Sequence, residues 1–261
     1  MKLKLYQIDA FTDTLFSGNP AAVCPLQNEW LDEEVMQHIA MENNLAETAF
    51  YIFKNNEFSI RWFTPTTEVD LCGHATLATA YVLFFHENYQ KDELTFSSRS
   101  GKLSVRKDGD FLVLNFPADT IAKTELTDEL RQCFSIHPKE VYKGKTDYML
   151  IFENEEQIKN IQFDLQAIEK IDARGIIITA LGTDVDFVSR FFGPQSGIAE
   201  DPVTGSAHTT LVPYWQNVFQ KESFTAKQIS SRGGFLRCKF LNERIEISGQ
   251  ARTYLIGEIY V

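Results

Sequence analysis

The stretch from Arg61 to Phe85 constrains this 261-residue chain more than any other. It reads RWFTPTTEVDLCGHATLATAYVLFF: a strand-like start, a polar loop, and then Cys72-Gly73-His74. From Ala75 to Phe85 no residue carries a formal charge, and the segment is apolar or small on nearly every side. A helix of that character is buried in a core. Because first-turn amides lack intrahelical partners and carry partial positive charge, the sequence predicts a buried helix whose N-terminus can hold an anion.

The same order of features returns half a chain later. The run Arg61–Pro65 aligns with Arg190–Pro194, and Gly73-His74-Ala75 aligns with Gly205-Ser206-Ala207. Strand, loop, glycine and small-residue helix recur together, so the sequence predicts an internal duplication. The two halves are expected to face each other across a cleft. Anchors this short also recur by chance, and that is the alternative interpretation.

The expected fold class is α+β, with two similar domains related by a pseudo-twofold duplication. The first domain is predicted to span residues 1–118, completed by the C-terminal strand at 253–261, and the second to span residues 119–252. A surface helix is expected at Leu31–Met41 and a linker at Pro117–Thr127. Hairpin signals are frequent and no GxGxxG motif follows a strand, so a parallel dinucleotide-binding sheet is disfavoured.

The charge balance argues against several classes of partner. Acidic residues outnumber basic ones by 36 to 25, which gives a formal net charge of −11 and argues against nucleic acid or an anionic membrane surface. We expect no signal peptide, because the N-terminus MKLKLYQIDAF has no long apolar stretch. We expect no membrane-spanning segment, because no charge-free run reaches about 20 residues. The four scattered cysteines are typical of reduced thiols in a cytoplasmic protein. The histidines lack HxxxH and HExxH spacing, so no metal site is predicted.

Four side chains near the two glycine turns form a set suited to proton transfer. They are Glu47, His74, Asp201 and Ser206. If the turns converge, two carboxylates, an imidazole and a hydroxyl surround the first-turn amides of two helices. Those amides are expected to hold a substrate carboxylate and to stabilise an enolate-like intermediate. The residues predicted to bind substrate in this way are Gly73, Ala75, Gly205 and Ala207.

Each member of this set also has an ordinary structural explanation. Glu47 resembles the many glutamates that are simply solvated, and His74 the histidines that bond backbone at a helix start. Asp201 precedes Pro202 as a turn residue does, and Ser206 fits the first turn of a helix. The recurrence of the pattern in both halves is what favours chemistry.

Four groups of residues, spread over nearly the whole chain, carry a family resemblance. They are Asp9-Ala10-Phe11 with Gly18-Asn19-Pro20, Asn44–Phe50, Arg61–Pro65 with Gly73–Thr76, and Asp201–Ala207. Together they resemble the phenazine-biosynthesis PhzF-like isomerase family, a relative of diaminopimelate epimerase.

The resemblance implies that each half is a curved, mostly antiparallel sheet wrapped around a central helix, with the active site in the interdomain cleft. It implies a cofactor-independent isomerase in which Glu47 shuttles a proton within a small carboxylate-bearing substrate. The family's supporting residues match His74, Asp201 and Ser206. The resemblance also implies a homodimer.

Cys72 supports an alternative function. Related epimerases use two opposed cysteines as acid and base, but the counterpart of Cys72 is Thr204, whose hydroxyl cannot replace a thiolate. A two-thiol racemase is therefore disfavoured. A one-thiol amino-acid epimerase using Cys72 with Glu47 or Asp201 stays open, and so does a catalytically silent protein that binds a carboxylate.

Overall fold

The computed structural model describes residues 1–261, apart from the side chain of Ser196. The chain forms two compact units. Unit 1 combines Met1–Asn115 with Ser248–Val261, and unit 2 is Phe116–Ile247.

The helices and strands follow one another in three groups along the chain. The first group is β1 (Lys2–Ala10), β2 (Asn19–Pro25), α1 (Glu33–Asn43), β3 (Glu47–Lys54), β4 (Glu57–Phe63), β5 (Glu68–Val69), α2 (Gly73–Phe85), β6 (Glu93–Ser98), β7 (Gly101–Asp108) and β8 (Phe111–Pro117). The second group begins with β9 (Ala122–Thr124), α3 (Asp128–Gln132), β10 (Glu140–Lys143), β11 (Asp147–Ile151), α4 (Glu155–Asn160) and α5 (Leu165–Glu169). It continues with β12 (Gly175–Leu181), β13 (Phe187–Gly193), the 3₁₀ turn Pro194–Ser196, β14 (Ile198–Asp201), α6 (Gly205–Phe219), β15 (Ser223–Gln228), β16 (Gly234–Leu241) and β17 (Arg244–Gly249). The last element, β18 (Ala251–Tyr260), belongs to unit 1 and pairs antiparallel with β1.

Strand pairing repeats in the same order in the two units. In unit 1, β1 pairs antiparallel with β2, β2 parallel with β3, β3 antiparallel with β4, β4 antiparallel with β5 and parallel with β6, and β6 antiparallel with β7. In unit 2 the same series of contacts joins β10, β11, β12, β13, β14, β15 and β16. Most of these pairs are antiparallel. The predicted α+β class with two similar units is confirmed.

Each unit contains one long apolar helix, as the sequence predicts. Helix α2 starts at Gly73, two residues before the predicted charge-free run, and ten of its thirteen residues are buried. Helix α6 contains Pro213, which has no amide to donate to the Thr209 carbonyl. That carbonyl instead accepts a hydrogen bond of 3.1 Å from the Asp119 backbone amide, so the Thr209 carbonyl is paired despite the proline. Among the helices described, none combines the length and the apolar character that crossing a bilayer requires.

Two local predictions need correction. The surface helix begins and ends two residues later than predicted, at Glu33–Asn43, and it stops where Asn44 takes a left-handed conformation with φ of 49°. The expected linker at Pro117–Thr127 contains β9, which pairs with β10. All three residues of β9 are exposed, so this short strand has no apolar alternation for sequence reasoning to detect.

Gly18 sets the conformation of the turn that leads into β2. Its φ is +70°, and a Cβ at this position would lie 2.2 Å from the backbone oxygen of Ala10. Only glycine fits such a position. The turn therefore places Asn19 as the first residue of β2, fully buried.

Candidate active site

Three buried side chains of unit 1 converge where β2, β3 and α2 begin. Glu47 is the first residue of β3, His74 is the second residue of α2, and Asn19 is the first residue of β2. Because β2 and β3 are parallel neighbours, their starts lie at the same edge of the sheet. This edge meets the N-terminus of α2, and there the His74 Nε2 lies 3.1 Å from the Glu47 Oε2.

The contact between His74 and Glu47 is electrostatic rather than a well-aligned hydrogen bond. Both residues are buried, with exposed fractions of 5% and 8%. Among the described residues, neither Nε2 of His74 nor Oε2 of Glu47 has a partner with hydrogen-bond geometry, although the two atoms are close. Buried polar atoms are nearly always paired in folded proteins, and exceptions often mark a functional site. This carboxylate oxygen therefore keeps a free acceptor position.

The opposite nitrogen of the imidazole faces two further groups. The His74 Nδ1 lies 3.3 Å from the Asn19 amide nitrogen and 3.4 Å from the Cys72 sulfur. The Asn19 amide and the imidazole can pair at Nδ1 in two ways: the amide nitrogen donates to a neutral imidazole, or the amide oxygen accepts from a charged one. In both cases Nε2 carries a hydrogen and turns it toward Glu47. Asn19 belongs to the Gly18-Asn19-Pro20 motif, and its contact with His74 is a finding of the structure.

The electrostatic environment favours the charged form of His74. Burial alone would lower the pKa of His74, but the Cys72 sulfur and the Glu47 carboxylate outweigh burial and raise the pKa well above its usual range. Burial, followed by the Glu47 charge, raises the pKa of the Cys72 thiol to about 11. The thiol is therefore neutral at pH 7, and the charge that still raises the pKa of His74 there is that of the Glu47 carboxylate.

A titration followed by NMR of labelled histidine tests this environment. We expect His74 to stay protonated at pH 7, and Glu47→Gln to lower its pKa because the attracting charge is removed. His208 is the internal control: burial lowers its pKa to about 4, so it should stay neutral in both proteins. A His74 pKa at or below about 6.5 in the wild type would contradict this prediction. With the folded-state pKa raised, His74 adds stability below its unfolded pKa, and that stability is lost as pH rises through the folded-state pKa.

Glu47, Cys72 and His74 also form a cluster of possible metal ligands, with ligand atoms within 4.8 Å of one another. The imidazole, however, turns different nitrogens toward the two partners: Nδ1 toward the sulfur and Nε2 toward the carboxylate. One metal ion binds one nitrogen of a histidine, so this arrangement suits a proton path better than a tridentate site. The absence of a metal site stays a prediction.

The candidate residues of unit 2 lie in the turn that leads into α6. The Asp201 carboxylate accepts a hydrogen bond of 2.5 Å from the Thr204 hydroxyl. Gln228 braces this turn: its amide oxygen accepts from the Thr204 backbone amide at 2.8 Å, and its amide nitrogen donates to the Asp201 carbonyl at 2.6 Å. Gln228 is fully buried and was missed from sequence. It is the last residue of β15, and its partners in the turn lie 24 and 27 positions away in the sequence.

Ser206 occupies the second position of α6, as His74 does in α2. Its hydroxyl oxygen accepts a hydrogen bond of 2.9 Å from Nη1 of Arg174. Arg174, which sequence reasoning missed, also forms a two-pronged pair with the buried carboxylate of Asp147. The Ser206 hydroxyl therefore has Arg174 as a partner, and its expected place in one set with Asp201 stays a prediction.

The predicted amide donors stand at the first turns of the two long helices. Gly73 and Ala75 lie in the first turn of α2, and Gly205 and Ala207 in that of α6. Neither helix is capped by the side chain of its N-cap residue, in the part of the chain that the structure describes. The catalytic and binding roles of the eight residues named from the sequence stay predictions.

The same arginine–glutamate pair braces the segment before α2 and the segment before α6. Arg61 donates to both carboxylate oxygens of Glu68 at 2.7 and 2.6 Å, and Arg190 donates to those of Glu200 at 2.7 and 2.9 Å. Each guanidinium also lies over a phenylalanine ring two residues further along, at 5.2 Å in unit 1 and 5.1 Å in unit 2. The two arginines belong to the repeat predicted from the sequence, whereas their pairing with Glu68 and Glu200 was not predicted.

Comparison with known proteins places the chain in a family. A family model described as phenazine biosynthesis-like protein matches residues 8–257. An uncharacterized isomerase of Pseudomonas aeruginosa is 46% identical to the chain, over 100% of both proteins. A solved PhzF-family phenazine biosynthesis protein of Enterococcus faecalis is 43% identical, with a TM-score of 0.97 over 100% of both chains.

A more distant structure shares the fold alone. A hydroxyproline epimerase from Agrobacterium vitis, solved with bound trans-4-hydroxy-L-proline, is 10% identical, with a TM-score of 0.61 over 99% of this chain and 92% of that one. The family resemblance drawn from the motifs is confirmed, and so is the class of enzyme, an isomerase. The chain belongs to the family of phenazine biosynthesis-like proteins.

Proposed function

We propose that this isomerase moves a proton within a small carboxylic acid without a cofactor, and that Glu47 is the proton shuttle. The observation that carries the proposal is the Glu47 carboxylate itself. It is buried, and it lies 3.1 Å from an imidazole that favours the charged form. One of its oxygens is without a hydrogen-bond partner among the described side chains.

The proposed step transfers a proton with no net oxidation or reduction of the substrate, so it needs no oxidant or reductant. Glu47 accepts a proton from a carbon next to the substrate carboxylate, and the electron pair of the broken C–H bond delocalises toward that carboxylate as an enolate. His74 lies beside this carboxylate, with its Nε2 3.1 Å from Oε2, and holds it in position. The protonated Glu47 then returns the proton to another carbon of the same molecule, and a double bond shifts. Main-chain amides at the start of α2 are proposed to stabilise the enolate.

Unit 2 is proposed to supply supporting groups. The family resemblance gives this role to Asp201 and Ser206, and both lie at or just before the first turn of α6. A cytoplasmic location and a homodimer remain part of the proposal. Light scattering of the purified protein measures the second of these directly.

Deuterium exchange tests the proposed function. The purified protein is incubated in D₂O with a panel of small carboxylic acids, including cyclic amino acids, α-hydroxy acids and unsaturated ring acids. Loss of a C–H signal by proton NMR, dependent on the enzyme, identifies a substrate. Exchange or isomerisation of at least one acid is expected. Tight binding of an acid with no exchange at any pH would instead support the catalytically silent, carboxylate-binding alternative.

The one-thiol epimerase is tested by Cys72→Ala. Because burial raises the pKa of Cys72 to about 11, only about one thiol in 10⁴ is ionised at pH 7. We therefore expect kcat for the best-exchanging acid of the panel to stay within about threefold of wild type, since a neutral thiol is a poor base. Cys133→Ala is the matched control, because this buried cysteine lies in the core of unit 2. A loss of exchange in Cys72→Ala alone would favour the epimerase.

A further inference from the structure

We propose that Arg174 is a positioning residue that fixes Ser206 as a hydrogen-bond donor to a substrate oxygen. This inference rests on the proposed function and deepens it. It gives unit 2 a defined task in the reaction, which is to stabilise negative charge rather than to exchange a proton.

Arg174 is held in one orientation by several contacts. Its backbone amide donates to the Thr146 carbonyl at 2.8 Å. Its Nε donates to one carboxylate oxygen of Asp147 at 2.9 Å, its Nη2 donates to the other, and the guanidinium lies 5.3 Å from the centre of the Phe191 ring. The Asp147 side chain is 1% exposed and that of Arg174 is 38% exposed, so solvent is excluded from the carboxylate, and the two-pronged geometry fixes the direction of the guanidinium.

The remaining prong of the guanidinium reaches Ser206. Nη1 donates to the hydroxyl oxygen of Ser206 at 2.9 Å, so this oxygen accepts a charge-assisted hydrogen bond. The hydroxyl hydrogen must then point elsewhere, and among the described residues the structure records no acceptor for it. A serine arranged in this way is polarised to donate. The partner it suits is an oxygen that bears negative charge, such as a carboxylate or an enolate oxygen.

The strand register explains why unit 2 supplies a donor and not a second base. In unit 1, Glu47 pairs with Ala21 at the first step of the parallel β2–β3 ladder. In unit 2, Gly175 holds the corresponding place, opposite Asp147 in the parallel β11–β12 ladder. A Cβ at Gly175 would lie 2.4 Å from the Phe191 ring and 2.7 Å from the Phe192 carbonyl oxygen. No carboxylate fits there, and the residue just before it provides the guanidinium instead.

Arg174→Lys is the informative substitution. Lysine keeps a positive charge beside Asp147, but a single ammonium cannot replace the fork that reaches both Asp147 and Ser206. With the best-exchanging acid of the panel, we expect kcat to fall about 10-fold or more, approaching the roughly 10²–10³-fold loss seen when such a donor is removed outright. KM should change less than about threefold, because the interaction strengthens as charge develops.

A double-mutant cycle separates positioning from general damage. If Arg174 acts through Ser206, Arg174→Lys/Ser206→Ala should be no slower than Ser206→Ala alone. Arg131→Ala is the matched control, since Arg131 is a half-exposed arginine of unit 2 paired with Asp128 at 3.7 Å, and it should leave kcat unchanged. Additive losses in the double variant, or wild-type kcat in Arg174→Lys, would overturn the positioning role.

Two further readouts keep the outcomes distinct. If Glu47→Gln retains exchange, the proposed function fails. If Glu47→Gln is inactive while Arg174→Lys is normal, only the role of Arg174 fails. Crystal structures of the wild type and of Arg174→Lys need no substrate: a single Ser206 rotamer is expected in the former and a displaced or mixed rotamer in the latter. The same single rotamer in both crystals would contradict the proposal.

Discussion

Replacing Glu47 with glutamine should lower the deuterium-exchange rate of the best substrate by about 10²–10⁴-fold, the range expected when a general base is removed. Glutamine has nearly the same shape and can still fill the space beside His74, so the fold should be retained. What is lost is the capacity to accept a proton at the position 3.1 Å from Nε2. The measurement is kcat by proton NMR in D₂O, together with the thermal midpoint of each protein.

Two further variants show whether the effect is specific to the Glu47 carboxylate. Glu47→Asp keeps a carboxylate but shortens the side chain by one methylene, so partial activity between wild type and Glu47→Gln is expected. Glu87→Gln is the matched control, because Glu87 is another unit 1 carboxylate, and it bonds to Tyr6 at 2.5 Å and to Lys4 at 3.2 Å. It should exchange at the wild-type rate. Wild-type exchange in Glu47→Gln would exclude this residue as the shuttle.

The parts of the fold that could be predicted from sequence are those in which local pattern and tertiary environment agree. Helix α2 is apolar on nearly every side because it is buried on nearly every side, so its character is visible in eleven consecutive residues. The repeat was detectable because the same local structure, a strand and a loop followed by a helix that begins at glycine, requires similar sequences in the two units. Strand β9 was missed because an exposed three-residue strand depends on its neighbour β10 and not on its own composition.

Prediction of the candidate site is likewise restricted to residues that a local sequence pattern marks. Glu47 and His74 could be named because each stands beside a recognisable element, at a strand start and at a helix start. Arg174 and Gln228 could not be named from the sequence, because their roles depend on contacts with residues 32 and 24 positions away in the chain. Glu68 and Glu200 lie between aligned anchors of the repeat, where an acidic residue in both copies was a usable signal.

Replacing Arg190 with methionine should destabilise unit 2 by about 3–5 kcal/mol, the loss expected when one partner of a buried ion pair is removed. The side chains of Arg190 and Glu200 are 10% and 19% exposed, and the guanidinium also donates to the Ile158 carbonyl at 3.1 Å. Methionine fills much of the space over the Phe192 ring but leaves the Glu200 carboxylate without its counter-charge. The expected thermal midpoint is roughly 10 °C lower. Hydrogen exchange by mass spectrometry should show the loss first in β13 and β14.

The double variant Arg190→Met/Glu200→Leu decides whether charge or packing is responsible. Removing both charges leaves no unpaired ion, so much of the lost stability should return. The exposed ion pair of Arg131 and Asp128 is the control, because exposed pairs contribute little to stability. Arg131→Ala should change the unfolding free energy by less than about 1 kcal/mol. Because Asp201 follows Glu200 directly in β14, the double variant should be stable and yet less active than wild type. Wild-type stability in Arg190→Met would show that the pair of Arg190 and Glu200 does not brace the turn. Wild-type activity in the double variant would show that the position of Asp201 does not depend on this pair.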